Sequence, residues 1–415
     1  MLSLRHSTTW LFAALTLAAP ARAQQPPAQA QQQPAKDEDV FNDLVTDLER
    51  DQTEPKSAPP APAGGGQSLN PDIAVVADFA AAVFSDEQHL QTGDHDPTET
   101  GFNLQQLELS IQAAVDPYFR FDSFIVFALD GVEIEEVYAT TLELPAGLAL
   151  RFGQFLTRFG RINPTHPHAW DFVDQPFAIG RIFGAEGNRA LGVEASWLLP
   201  LPWYAELVGS TTRADGEESN RSFFGADNLG VDGPADLLYI AALKQFFDLS
   251  QDWSLLWGLS TAFGPNATGR SNRSEVYGSD LFVKYRPITR ESSVSLKWQS
   301  EVFHRRIQTP ESVLYDHSLY TQLVWAFDKQ WAAGARYEWG SPTFDLDGTR
   351  VVQPIDPEWT GNRHRVSSAL TFLPTEFSRL RLQASLDLPA WRDDPIFAAF
   401  LAAEVSVGAH GAHPF

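Results

Sequence analysis

His166 and His168 flank Pro167 in a stretch that also carries Asp171 and Asp174. Imidazole nitrogens and carboxylate oxygens are donor types suited to zinc. Pro167 restrains how the two rings could converge, so the same histidines equally suit a structural role, hydrogen-bonded to the surface that surrounds them. Arg161 and Trp170 lie in the same segment, 159–189, the longest well-defined connection in the chain. Its aromatic content is too high for a solvated loop tip. It is therefore expected to pack inward, with Arg161, His166, His168, Trp170, Asp171 and Asp174 forming a constriction or a ligand site. His410 and His413 offer a second imidazole pair near the end of the chain. Catalytic signatures are missing: there is no Gly-x-Ser-x-Gly elbow, His-Glu-x-x-His, phosphate-cradling glycine loop or cysteine. Ser300 or Ser318 with His304 or His317 is the nearest thing to a hydrolase pair, and its spacing singles out nothing, so a non-enzyme is expected.

The elements that would position these residues are strands. Leu107, Leu109, Ile111, Ala113 and Val115 alternate with Glu108, Ser110 and Gln112. Leu380, Leu382, Ala384, Leu386 and Leu388 alternate with Arg379, Arg381, Gln383, Ser385 and Asp387. A soluble sandwich would bury the oily face on a second sheet, so alternation alone leaves two architectures open. Strand length favours a membrane, because the candidates run ~10–14 residues, long enough for a tilted strand to cross lipid. Aromatics collect near strand ends, as at Trp325, Phe327, Trp331, Tyr337 and Trp339, which suits two interfacial girdles. About sixteen strands can be marked, from 72–84 through 252–263 and 276–286 to 397–409, and every second connection is turn-like, with mostly long connections between. The expected fold is all-β: a transmembrane antiparallel up-and-down β-barrel of about sixteen strands with a disordered N-terminal tether. Phe415, in phase with the outward residues of the last strand, would act as the assembly signal read by the barrel assembly machinery.

Residues 1–23 have the form of a cleavable secretory signal, with Arg5, an apolar run from Trp10 to Ala19 and Ala21-Arg22-Ala23 before Gln24. Residues 24–69 are rich in Pro, Gln and Ala and read as a disordered periplasmic tether. Within it, 38–50 has the apolar spacing of a short amphipathic helix. The barrel would occupy 70–415. With no cysteine there is neither a disulfide nor a thiolate site. A formal net charge of −23 makes nucleic acid an unsuitable partner.

Charged residues of the wet parity include Arg120, Arg151, Arg158, Lys297, Arg336, Arg379 and Arg381, with Glu108, Asp122, Glu194, Glu206, Glu301 and Glu338. An Arg or Lys facing lipid at mid-membrane costs about 2–4 kcal/mol, so these must point into the lumen. They either form a salt-bridge ladder that supports the wall or stand as opposed charge rows that set ion preference.

Several segments resemble those of a known group: Asn70-Pro71-Asp72-Ile73, Val115 to Arg120, Glu135 to Ala139, Gly153 to Arg161, the His-Pro-His-Ala-Trp loop and the His-Gly-Ala-His-Pro-Phe end. Together they resemble the porin-like outer-membrane proteins of myxobacteria and related bacteria labelled zinc-regulated TonB-dependent outer-membrane receptors. The resemblance implies residence in outer-membrane lipid, a transport role and a link to zinc. A TonB-dependent receptor also carries a globular plug, which the Pro/Gln/Ala-rich segment 24–69 cannot build. Passive diffusion of small hydrophilic solutes or ions, narrowed by 159–189, is therefore the expected function. The alternatives are a zinc-linked, substrate-specific receptor and a non-transporting barrel whose tether recruits a periplasmic partner. Analogy with sixteen-stranded porins adds a homo-oligomer.

Overall fold

The computed structural model describes residues 71–408, apart from 130, 228 and 289–292. The signal at 1–23, the tether at 24–69 with its helix at 38–50, the His410 and His413 pair and Phe415 lie outside the described residues. Thirteen strands run in order: β1 (Asp72–Phe84), β2 (Gly101–Ala114), β3 (Phe119–Phe127), β4 (Val132–Thr141), β5 (Leu148–Leu156), β6 (Arg189–Leu198), β7 (Ala205–Thr212), β8 (Leu238–Asp248), β9 (Trp253–Asn266), β10 (Gly269–Tyr285), β11 (Ser295–Gln308), β12 (Val313–Ala326) and β13 (Trp331–Gly340). A small hairpin, β14 (Thr343–Asp345) and β15 (Arg350–Val351), precedes β16 (Arg363–Thr375), β17 (Ser378–Pro389) and β18 (Ile396–Gly408). Helix α1 (Phe177–Phe183) lies in the connection from β5 to β6.

Leaving the hairpin aside, each strand pairs antiparallel with its neighbours in sequence and β1 pairs with β18, from Ala74 opposite Gly408 to Phe84 opposite Ala398. The sheet is thus a closed 16-strand barrel with no unpaired edge. Closure satisfies the backbone internally, which is what lipid demands of a spanning sheet.

Polarity is inverted relative to a soluble protein. Leu380, Leu382, Leu386 and Leu388 on β17 are exposed, while Arg381, Gln383, Ser385 and Asp387 between them are buried. Among the largest fully buried side chains are Arg181, Arg305, Arg336 and Arg363. A charged interior under an exposed Leu/Val/Phe belt is stable only where the outer solvent is itself apolar. Aromatic pairs mark both rims: Trp253 with Tyr285 and Trp325 with Phe327 near one, Phe263 with Tyr277 near the other.

The expected strands 252–263 and 276–286 are longer than the sequence reading placed them. β9 reaches Asn266 and β10 begins at Gly269, so the presumed outer loop is a tight turn at Ala267-Thr268. Gly264, Pro265 and Asn266 look like turn residues, yet cross-strand pairing carries Gly264 and Pro265 into the ladder across an irregularity between Gly269 and Arg273. The connections from β3 to β4 and from β11 to β12 are also short, so only the links β1–β2, β5–β6, β7–β8 and β13–β16 are long.

Leu401 sits midway along β18 and Val407 near its end, both outward. Leu401→Arg should lower stability by about 2–4 kcal/mol and Val407→Arg by about 0–1 kcal/mol in denaturant titrations of vesicle-folded protein. Equal costs at the two sites would contradict a lipid-facing surface.

Candidate functional site

The connection between β5 and β6 runs through the interior, held by inward side chains from around the wall. At its start Gly160 has φ +62, and a Cβ there would lie 2.2 Å from a carboxylate oxygen of Glu301, so glycine alone allows the approach. Glu301 of β11 accepts hydrogen bonds from the backbone N–H of Arg161 (3.2 Å) and Ile162 (2.8 Å), and Tyr320 O–H donates to it at 2.5 Å. The Gly160 N–H donates to Ser260 of β9 at 3.0 Å, and Lys244 of β8 donates to the Gly160 carbonyl. The Arg161 guanidinium lies 3.7 Å over the Phe282 ring. Trp170 is buried in an apolar cluster with Phe159, Ile162, Ile179 and Phe183, and its indole N–H donates to the Thr165 carbonyl at 2.8 Å.

Farther along, Asp174 is a hub. Its carboxylate accepts from Arg336 of β13 (2.5 Å), Arg365 of β16 (3.1 Å) and Gln383 of β17 (2.6 Å), and its carbonyl accepts from Arg336 at 2.9 Å. Burial would raise the Asp174 pKa, but the guanidiniums of Arg336 and Arg365 hold it below the usual carboxylate range. Asp171 accepts from Lys297 at 2.6 Å. Arg379 and Arg381 donate to the Trp170 carbonyl, at 3.1 and 2.7 Å, and Arg379 also to the His168 carbonyl. Glu338 accepts from the Phe177 N–H at 2.6 Å, meeting the first turn of α1. At the other end of that helix, Arg305 donates to the Arg181 carbonyl at 3.0 Å while binding Asp316 (2.8 Å) and Asp356 (2.7 Å).

The histidines behave differently from the sequence expectation. Asp171 and Asp174 do not join them but are taken by Lys297, Arg336 and Arg365, because the 3-10 turn at Pro167–Ala169 sends the two acids toward β11, β13 and β16. His166 instead meets three wall carboxylates. Its Nδ1 lies 3.2 Å from Glu108 of β2 and 3.2 Å from Glu135 of β4, and its Nε2 lies 2.8 Å from Glu136. His168 Nδ1 is also 3.2 Å from Glu108. Burial disfavours charge on either ring, yet Glu135 and Glu108 hold His166 well above the usual imidazole value, and Glu108 raises His168. Glu135 and Glu136 are both buried although they are adjacent in sequence. The β3–β4 register skips Glu135 between Phe124 and Ile125, and this bulge turns both acids inward.

The remaining expected lumen charges form a second group. Glu194 joins Arg151 (3.0 Å) and Arg158 (2.8 Å), and Arg158 also reaches Glu206 at 2.7 Å. Arg120 pairs with Asp122 at 3.0 Å. Near the outer end of the same sector, a cavity of about 670 Å³ is lined by residues including Glu133, Gln154, Arg189, Arg213 and Glu218. Ser300 lies on the outer face with His304 and His317, whereas Ser318 points inward, so neither histidine shares a site with Ser318.

No protein-family profile matches the sequence. A protein of Aquifex aeolicus (strain VF5), described as uncharacterized, is 34% identical over 347 residues, which is 76% of this chain and 70% of that protein. The chain belongs to its family. Three solved structures share the architecture. OprB of Pseudomonas putida aligns with TM-score 0.56 at 12% identity, over 81% of this chain and 94% of its own. An anion-selective porin from Comamonas acidovorans aligns with 0.52 at 8%, over 81% and 99%. The outer-membrane protein OmpT of Vibrio cholerae aligns with 0.52 at 8%, over 81% and 97%. At such identities the likeness is one of fold, that of a porin-type barrel of the bacterial outer membrane.

Asp174→Ala removes the carboxylate that Arg336 and Arg365 share, but Glu338 and Asp387 still pair with them, so the loss should fall below the about 3–5 kcal/mol of an uncompensated buried charge. Amide exchange across 160–183 should then accelerate while β13 and β16 stay protected. Unchanged exchange in that segment would contradict the anchoring role.

Proposed function

We propose that the protein is an outer-membrane channel for passive diffusion of small hydrophilic solutes or ions, narrowed by the 159–189 segment. The observation that carries the reading is the set of contacts from the segment to inward residues on β2, β4, β8, β9, β11, β13, β16 and β17. A segment anchored on so many sides occupies cross-section that a bare barrel would leave to water.

Arg120, Arg151, Arg158 and Lys297 are each paired with an acid, Asp122, Glu194, Glu206 or Asp171, so both signs line the lumen. Outer-membrane lipid, the barrel assembly machinery and a homo-oligomer are the partners this reading implies.

In planar bilayers the purified chain should give discrete conductance steps, and removal of 160–183 should enlarge them. Absence of steps at every voltage would contradict the channel, and steps of unchanged size after the removal would contradict the narrowing.

A further inference from the structure

The geometry points to a divalent transition-metal site formed by Glu108, His166 and His168, which ties the interior segment to β2. One donor atom from each residue lies within 4.8 Å of the others, and all three residues are buried. The Glu108 Oε2 atom is 3.2 Å from both Nδ1 atoms. A tetrahedral ion with bonds of about 2.0–2.1 Å separates its ligands by about 3.3 Å, so two edges of the coordination polyhedron are already at length. Two imidazoles and one carboxylate leave a fourth position for water.

Two further features belong to a metal site more than to a hydrogen-bonded clasp. The other ring nitrogen of His166 is held by Glu136 at 2.8 Å, the carboxylate partner that orients a ligating imidazole and fixes its tautomer. Glu135 Oε2 is buried without a hydrogen bond of good geometry, 3.2 Å from His166 Nδ1, where it would accept from a metal-bound water. Two cavities of about 20 Å³ each, roughly one water in size, flank Pro167, one lined in part by Asp78 and Glu404 and the other by Glu135.

The test uses the full chain, folded in detergent and stripped with a chelator. Zn²⁺ titrated calorimetrically should bind one equivalent, and Co²⁺ should give the intense visible absorption of tetrahedral coordination. His166→Ala with His168→Ala should abolish both signals, and Glu136→Gln should weaken binding about 10–100-fold. Glu108→Gln, which preserves shape, should also lose the ion, and heat-modifiable migration reports that each variant is folded. His95→Ala, in the neighbouring Asp94–His95–Glu186 group, should leave binding intact. No binding by the wild-type chain, survival of binding in the folded double-histidine variant, or its loss on His95→Ala would overturn the site. Conductance plays no part in these readouts, so failure here and failure of the channel reading are separate results.

Discussion

Lipid on the outside is the constraint from which the rest of this structure follows. A strand that presents Leu, Val and Phe to acyl chains must turn every alternate side chain inward, and in this sequence many of those are Arg, Asp and Glu. Buried ions are costly unless matched, so the interior has to supply counter-charges and hydrogen-bonding backbone. Part of the match comes from neighbouring strands, as where Asp387 of β17 binds Arg363 and Arg365 of β16. The rest comes from the long β5–β6 connection, whose Asp171, Asp174 and backbone carbonyls answer Lys297, Arg336, Arg379 and Arg381.

The lumen charges find their partners by place. Around β11 to β17, Lys297, Arg336, Arg365, Arg379 and Arg381 reach the interior segment. Around β3 to β7, Arg120, Arg151 and Arg158 pair with the wall acids Asp122, Glu194 and Glu206.

Much of the wall was legible in the chain because lipid imposes a strict period of two. Glu108 and Ser110 face inward and Leu380 and Leu382 outward as their parity requires. Errors arose where local signals lost to pairing. Gly264-Pro265-Asn266 reads as a turn, yet β9 continues through it. Glu135 has the wrong parity for the lumen and arrives there through a bulge that no alternation pattern reveals. The inward course of 159–189 was signalled by its aromatics, but its partners were not. His166 and Glu108 are 58 residues apart, and Asp174 and Arg365 are 191 apart, so their meeting is a property of the closed ring.

The account turns on the β5–β6 segment lying against the inner wall in the membrane. Lys297 and Asp171 form a partly buried ion pair at 2.6 Å, close enough for a zero-length carbodiimide to couple amine and carboxylate. Treatment of intact outer-membrane vesicles followed by peptide mass spectrometry should recover an isopeptide between residues 171 and 297. Coupling of Lys297 only to other acids, with Asp171 left unmodified by it, would place the segment outside the lumen and contradict the account.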